Sequence, residues 1–162
     1  MGTPYLLYAL SDNGYPDHAY RLLLQNDYPS WLYSVNAGAT TIWEHWDGIK
    51  PDGSFWSEDM NSFNHYAYGA VVDWMYTRIA GINCTTEAPG YKKSVIRPLV
   101  TQRLSYAKAT VMTLYGALSS KWTRDKEGNY IYEVTIPNNT VSEFIFPDGR
   151  RIELKPGTHI LC

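Results

Sequence analysis

The strongest constraint on the fold is a change of hydrophobic period about halfway along the chain. In the first half, apolar residues recur at helical spacing, and Pro16 and Pro29 stand where helices are expected to begin. In the second half, apolar and polar residues alternate, as over residues 130–136, between closely spaced turn signals. The sequence therefore predicts a two-part α+β chain, with helices over residues 1–82 and an antiparallel β-sandwich over residues 83–162.

The last predicted helix, over residues 65–80, is apolar nearly all round, and Asn61 or Asn64 is expected to cap it. A helical turn is also expected over residues 40–46. A helix without a polar face must be surrounded by other helices, and the chain supplies only a few. The helical part is therefore expected to be incomplete or to need a partner. Further strands are predicted over residues 95–98, 107–112, 142–146, 152–154 and 159–162.

Charge and composition exclude several classes of function. Fourteen basic and sixteen acidic residues, without a basic stripe, argue against nucleic acid as a partner. No apolar run approaches the roughly 20 residues of a membrane span, and no secretion signal is visible, so the localisation is undetermined. No metal-ligand spacing and no glycine-rich phosphate loop occur, so neither a metal nor a cofactor is expected.

The best candidate for chemistry is a glutamate, Glu44, between Trp43 and Trp46. Apolar walls desolvate a carboxyl group and raise its pKa, which suits acid/base catalysis. The segment leads into a stretch over residues 47–64 with little helical pattern, and long loops of this kind are usually functional or flexible. The alternative interpretation is a surface glutamate flanked by two core tryptophans.

A second cluster of polar and aromatic side chains follows in the sequence. Proteins hold sugars by hydrogen bonds to the hydroxyl groups and by stacking of aromatic rings on the sugar face, and 15% of the residues are aromatic. The alternative is the capped start of a helix with core aromatics and a structural histidine. The cluster comprises Trp56, Glu58, Asp59, Asn64, His65 and Tyr66.

The order of these motifs resembles a known family. The run TTIWEHWDGIKPDGSFWSEDMNSFNHYAYGAVVDWMYTRIAGI is similar to the late barrel segment of glycoside hydrolase family 78, the bacterial α-L-rhamnosidases. PGYKKSVIRPL, LSYAKATV, YGALSSKW, YEVTIPNNT and FIFPDGRRIELKPGTH resemble the strands of its C-terminal β-sandwich. The resemblance implies a partial (α/α)6 six-hairpin barrel followed by a β-sandwich. It also implies inverting hydrolysis of terminal α-L-rhamnosyl groups from a glycoside or polysaccharide, without an organic cofactor.

The same resemblance assigns roles to individual residues. Glu44 corresponds to the general base, and His65 to a histidine of the sugar pocket. Trp43, Trp46 and Trp56 are expected to form pocket walls. The family's general acid lies in earlier barrel helices, and no segment upstream of Glu44 matches it. The chain is therefore expected to be a fragment that is inactive alone and that self-associates through exposed apolar faces into a homo-oligomer.

Three alternatives stay open. The first is a non-catalytic carbohydrate-binding module that uses the aromatic rings as a stacking platform. The second is a structural role, in which the sandwich stabilises a barrel. The third is a related six-hairpin glycosidase that acts on another sugar.

Overall fold

The computed structural model of the chain describes residues 2–59 and 61–162. The chain divides into two compact units, Met1–Val72 and Asp73–Cys162. Within the described residues, no helix combines the length and the apolar character that a membrane span requires.

The first unit begins with three short helices. Pro4 lies in the first turn of α1 (Thr3–Asp12), and Pro16 opens α2 (Pro16–Leu24), positions where the missing N–H of proline costs no hydrogen bond. Helix α3 (Trp31–Asn36) is capped by Ser30, whose hydroxyl accepts the N–H of Tyr33 at 3.0 Å. Helices α1 and α2 pack together. Their buried residues include Leu7, Ala19, Tyr20 and Leu23.

The helix predicted over residues 65–80 forms, but it starts later and changes pitch. It consists of a 3-10 helix (Ala67–Ala70), the α-helix α4 (Val71–Trp74) and a π-helix (Met75–Ile79). The expectation that Asn61 or Asn64 caps it is wrong, since Tyr66 stands at the cap without a side-chain bond. The predicted helical turn over residues 40–46 is also wrong. Residues 41–44 and residues 62–65 are irregular because their backbone groups bond to each other instead of within a helix.

The second unit contains eight strands in two four-stranded sheets, ordered β1-β2-β6-β7 and β3-β4-β5-β8. All neighbouring strands are antiparallel except β2 and β6, which run parallel. The strands are β1 (Ile82–Cys84), β2 (Lys93–Ile96), β3 (Tyr106–Thr113), β4 (Gly116–Arg124), β5 (Tyr130–Ile136), β6 (Val141–Ile145), β7 (Arg151–Leu154) and β8 (Gly157–Leu161).

The core of the sandwich is built from inward side chains of both sheets. Trp122, Val134 and Phe144 are fully buried, and Tyr132 from one sheet meets Phe144 from the other edge-on at 5.1 Å. Burying each such side chain contributes about 1.5–3 kcal/mol. The one polar atom of the Trp122 ring is satisfied, since its Nε1–H donates to the Ile79 carbonyl at 2.9 Å. This unit therefore closes its own core.

Gly81 follows the π-helix at a position that no other residue could occupy without rearrangement. Its φ is +77°, in the left-handed region, and an added Cβ would lie 2.3 Å from the carbonyl carbon of Arg97. The N–H of Arg97 donates to the Gly81 carbonyl at 2.8 Å. The end of the helix at Gly81 thus follows both from glycine's conformational freedom and from close backbone contact.

Candidate functional site

Two irregular segments of the first unit, residues 41–44 and 62–65, lie side by side and run in opposite directions. The N–H of Glu44 donates to the carbonyl of Ser62 at 2.8 Å, and the N–H of His65 donates to the carbonyl of Ile42 at 2.9 Å. The hydroxyl of Thr41 donates to the carbonyl of Phe63. These bonds place Glu44 and His65, which are far apart in the sequence, on neighbouring segments.

The carboxylate of Glu44 is partly exposed and is held through one oxygen. Its Oε2 accepts the backbone N–H of Ser62 at 3.1 Å. Since the backbone N–H of Glu44 also bonds to Ser62, both the main chain and the side chain of the glutamate are fixed to the same residue. A carboxylate held through one oxygen can present the other to a water molecule, as a general base must do.

The imidazole of His65 is oriented by the residue two positions further along the chain. Its Nδ1 accepts the N–H of Ala67 at 3.3 Å, so the geometry assigns the proton of the neutral ring to Nε2. The ring lies parallel to that of Tyr66, with the ring centres 5.5 Å apart. His65 is thus arranged to donate a hydrogen bond from Nε2.

The three tryptophans lie in different surroundings. Trp43 is buried and meets Phe63 edge-on at 5.4 Å. Trp46 stacks on Tyr68 at 3.8 Å, whereas Trp56 is 43% exposed and stacks on His45 at 3.6 Å. The sequence cluster groups Trp56 with His65, but the ring contact of Trp56 in the described residues is with His45.

Trp43 and Trp46 line a small cavity of about 60 Å³ together with Trp31 and Tyr68. Among the described residues, Glu44 and His65 are not part of its lining. Pockets that hold drug-sized ligands span roughly 300–1,000 Å³, so this cavity is far smaller than a typical ligand pocket.

The remaining polar residues of the predicted second cluster lie at the surface. Glu58, Asp59 and Asn64 are exposed. Asp52, at the tip of the same loop, accepts the hydroxyl and the N–H of Ser54, and these hydrogen bonds lower the pKa of its carboxyl group. Within residues 2–59 and 61–162, no three His, Cys, Asp or Glu side chains form a group that could hold a metal ion.

Sequence reasoning missed the backbone of Ser62, which holds Glu44 through two hydrogen bonds. No side-chain pattern could have indicated it, because the contribution comes from the peptide group alone. It also missed the partners of the aromatic rings. Trp31 meets Trp46 edge-on at 5.0 Å and donates from Nε1 to the carbonyl of Tyr68 at 2.9 Å.

The two halves of the chain match two domains of one enzyme family. Residues 1–79 match the sequence model of the bacterial alpha-L-rhamnosidase 6 hairpin glycosidase domain, and residues 81–160 match that of the bacterial alpha-L-rhamnosidase C-terminal domain. The predicted fold class, a partial six-hairpin barrel followed by a β-sandwich, is thereby confirmed.

Curated relatives and solved structures agree with this assignment. The chain is 44% identical over 162 residues to an alpha-L-rhamnosidase of Streptomyces avermitilis and 40% identical over 147 residues to one of Alteromonas sp.. These matches cover 99% and 91% of this chain, which spans only 15% and 16% of those proteins.

The structural similarity is equally close. The crystal structure of the Streptomyces avermitilis alpha-L-rhamnosidase complexed with L-rhamnose is 41% identical, with a TM-score of 0.86 over 98% of this chain and 17% of that one. The native enzyme from Aspergillus terreus is 34% identical, with a TM-score of 0.91 over 99% of this chain and 18% of that one. The chain therefore belongs to the bacterial α-L-rhamnosidase family, in which it corresponds to part of the six-hairpin domain and to the C-terminal domain.

Proposed function

We propose that this chain supplies the general base and part of the sugar-binding wall of an inverting α-L-rhamnosidase. The observation that carries the proposal is the pairing of residues 41–44 with residues 62–65, which sets Glu44 beside the segment of His65 and anchors its Oε2 on Ser62. In support, the Streptomyces avermitilis relative is an alpha-L-rhamnosidase with a structure in complex with L-rhamnose.

In this mechanism Glu44 takes a proton from the water that attacks the anomeric carbon of a terminal α-L-rhamnosyl group. Inversion requires a carboxylic acid on the opposite side of the sugar, roughly 6.5–9.5 Å from the base, to protonate the leaving oxygen. Because this chain spans 15% of its relative, we propose that the acid comes from another part of the six-hairpin domain. The isolated chain is then inactive.

The neighbouring side chains are proposed to bind the sugar. The Nε2–H of His65 donates to a hydroxyl group of the sugar, because Nδ1 already accepts the N–H of Ala67 and a neutral imidazole has only one N–H. Trp56 offers a partly exposed ring. Trp43 packs behind the sugar-binding wall as a buried ring. Trp46 continues this wall, and its ring is held by stacking on Tyr68.

The test is a chimera in which this chain replaces the matched segment of the Streptomyces avermitilis relative. Release of p-nitrophenol from p-nitrophenyl α-L-rhamnoside is compared among the chimera, its Glu44→Gln variant and its Glu127→Gln variant. Glu127 is an exposed glutamate in the turn between β4 and β5, so it is the matched control. We expect Glu44→Gln to lower kcat by about 10²–10⁴-fold and Glu127→Gln to change nothing.

Equal activity of the chimera and its Glu44→Gln variant would remove Glu44 as the base. The isolated 162-residue chain is assayed alongside and is expected to release no p-nitrophenol. Activity of the isolated chain would show that a second carboxyl group within it, or one from another copy, completes the site.

A non-catalytic carbohydrate-binding module is the second candidate, favoured by the exposure of the Trp56 ring on its His45 stack. Calorimetric titration of the isolated chain with L-rhamnose distinguishes the binding module from the rhamnosidase function. Binding that is lost in Trp56→Ala and unchanged in Glu44→Gln, together with an inactive chimera, would support the binding module. Titration with other monosaccharides tests a six-hairpin glycosidase of different sugar specificity.

A further inference from the structure

The side chain of Asn61 ties together the two ends of the loop that separates Glu44 from Ser62. Its Nδ2 donates to the Gly48 carbonyl at 2.9 Å, and the same carbonyl accepts the N–H of Trp56 at 3.1 Å. The N–H of Gly48 donates to the carbonyl of His45 at 3.1 Å. Gly48 is therefore the point at which three parts of the loop meet.

Close packing surrounds this point. Gly48 is buried, and an added Cβ would lie 3.2 Å from ring atoms of both Trp43 and Phe63 and 3.4 Å from Oδ1 of Asn61. The amide oxygen of Asn61 thus lies among aromatic rings and the glycine backbone.

That oxygen is buried and has no hydrogen-bond partner among the described residues. The amide cannot be turned over to relieve this, because an oxygen in the place of Nδ2 would face the Gly48 carbonyl. A buried acceptor without a partner is unfavourable, and an apolar side chain of similar shape would avoid it. Stability of the fold alone therefore does not account for an asparagine at this position.

We propose that Asn61 is a positioning residue for Glu44. The peptide group between Asn61 and Ser62 carries the N–H that holds Oε2 of Glu44, so fixing the Asn61 side chain to Gly48 fixes the direction of that N–H. The inference rests on the proposed role of Glu44 for its catalytic consequence. The mechanical link from Gly48 to the Glu44 carboxylate is tested separately.

The first test uses the 162-residue chain and two substitutions. Asn61→Leu keeps the branched shape and removes both the donor and the unpaired oxygen, whereas Asn61→Ala also leaves a cavity. The control is Asn36→Ala, which removes a surface bond from Nδ2 of Asn36 to Oδ1 of Asn26 at 3.0 Å. Hydrogen exchange of the Ser62 and Trp56 amides is followed by NMR, together with the thermal midpoint.

We expect Asn61→Leu to leave the thermal midpoint unchanged or higher, while the Ser62 amide exchanges about tenfold faster or more. Asn61→Ala lowers the midpoint and accelerates exchange at Ser62 to the same degree, and Asn36→Ala leaves this amide unaffected. A lowered midpoint with unchanged exchange at Ser62 in both Asn61 variants would make Asn61 a structural residue and overturn the inference.

The second test uses the active chimera. Asn61→Leu should lower kcat about tenfold or more with KM within about twofold, because it disturbs the base and not the sugar contacts. In a Glu44→Ala background with azide as the nucleophile, Asn61→Leu should cause no further loss. An equal loss in both backgrounds would contradict the positioning role. Full activity of Glu44→Ala would refute the role of Glu44 instead, and the exchange test would still decide the mechanical link.

Discussion

The two units of the chain differ in the degree to which they bury aromatic rings, although Tyr20 and Trp43 are buried in the helical unit and Tyr106 is 63% exposed in the sandwich. In the β-sandwich, Trp122 and Phe144 are fully buried and Tyr132 is 3% exposed. In the helical unit, Tyr5 is 72% exposed and Tyr66 is 88% exposed. Strongly exposed rings such as Tyr5 and Tyr66 leave apolar surface that a further surface can cover, whereas the central rings of the sandwich are already covered.

The candidate chemistry follows the same division. Glu44 and His65 lie on irregular segments of the helical unit, which backbone bonds from Glu44 to Ser62 and from His65 to Ile42 join. The sandwich instead forms continuous ladders over eight strands. We therefore expect the sandwich to contribute stability and the helical unit to contribute the candidate site.

Truncating one tryptophan in each unit gives the largest difference between them. Trp122→Ala should destabilise the sandwich by about 3–5 kcal/mol, because it opens a cavity and removes the bond to Ile79. Trp56→Ala should cost about 1 kcal/mol or less, since the ring is 43% exposed. Urea denaturation followed by circular dichroism measures both. Equal losses in the free energy of unfolding from the two substitutions would contradict the difference between the two units.

Self-association of the isolated chain is the next effect in size. The side chains of Tyr5 and Leu6 on α1 are 72% and 43% exposed, and we expect such apolar faces to drive dimers or larger oligomers. Light scattering at high concentration should detect them, and serine at both positions should shift the population towards monomer. Serine at Ile160, which is 67% exposed on the sandwich, is the control and should leave the mass unchanged. A monomeric wild-type chain would contradict the expectation.

The smallest effect concerns pH. In the sandwich, Asp148 accepts the N–H of Arg150 at 2.9 Å and its Nε–H at 2.7 Å, and these bonds lower the pKa of its carboxyl group below the ordinary value. A lowered pKa in the folded state contributes stability above the unfolded value, and this stability is lost as pH falls through the folded value. Asp148→Asn should therefore lower the Tm of the sandwich slightly at pH 7 and not at about pH 2.

Asp52→Asn is the control for the Tm measurement, because Asp52 is the corresponding hydrogen-bonded carboxylate in the helical unit. It should leave the transition of the sandwich unchanged at every pH. A loss from Asp148→Asn that persists at low pH would mean that the side chain contributes through packing and not through its charge.

Much of the fold could be predicted from periodicity, and the exceptions have physical reasons. Strand β5 alternates strictly, with Tyr132, Val134 and Ile136 facing inward. Strand β4 lacks this clear alternation of apolar and polar residues, because a serine, Ser120, occupies an inward position and donates to the Ala80 carbonyl at 2.7 Å. A buried hydroxyl satisfied by a distant carbonyl has no local signature in the sequence.

The candidate site could be predicted only in part, for a similar reason. Glu44 is recognisable as a carboxylate between tryptophans, but its anchor is a backbone N–H of Ser62. Asn61 suggests a helix cap, whereas it binds Gly48 across the loop. Hydrogen bonds made by an irregular loop depend on its path in space, and hydrophobic periodicity carries no information about that path.

The central claim, that Glu44 activates water, is tested most directly by azide rescue of Glu44→Ala in the chimera. Loss of the base should lower the hydrolysis of p-nitrophenyl α-L-rhamnoside by about 10²–10⁴-fold, because water is no longer deprotonated. Azide needs no base, so it should restore p-nitrophenol release and form β-L-rhamnosyl azide, identified by NMR. Undiminished hydrolysis by Glu44→Ala, or an azide product of retained α configuration, would contradict the account.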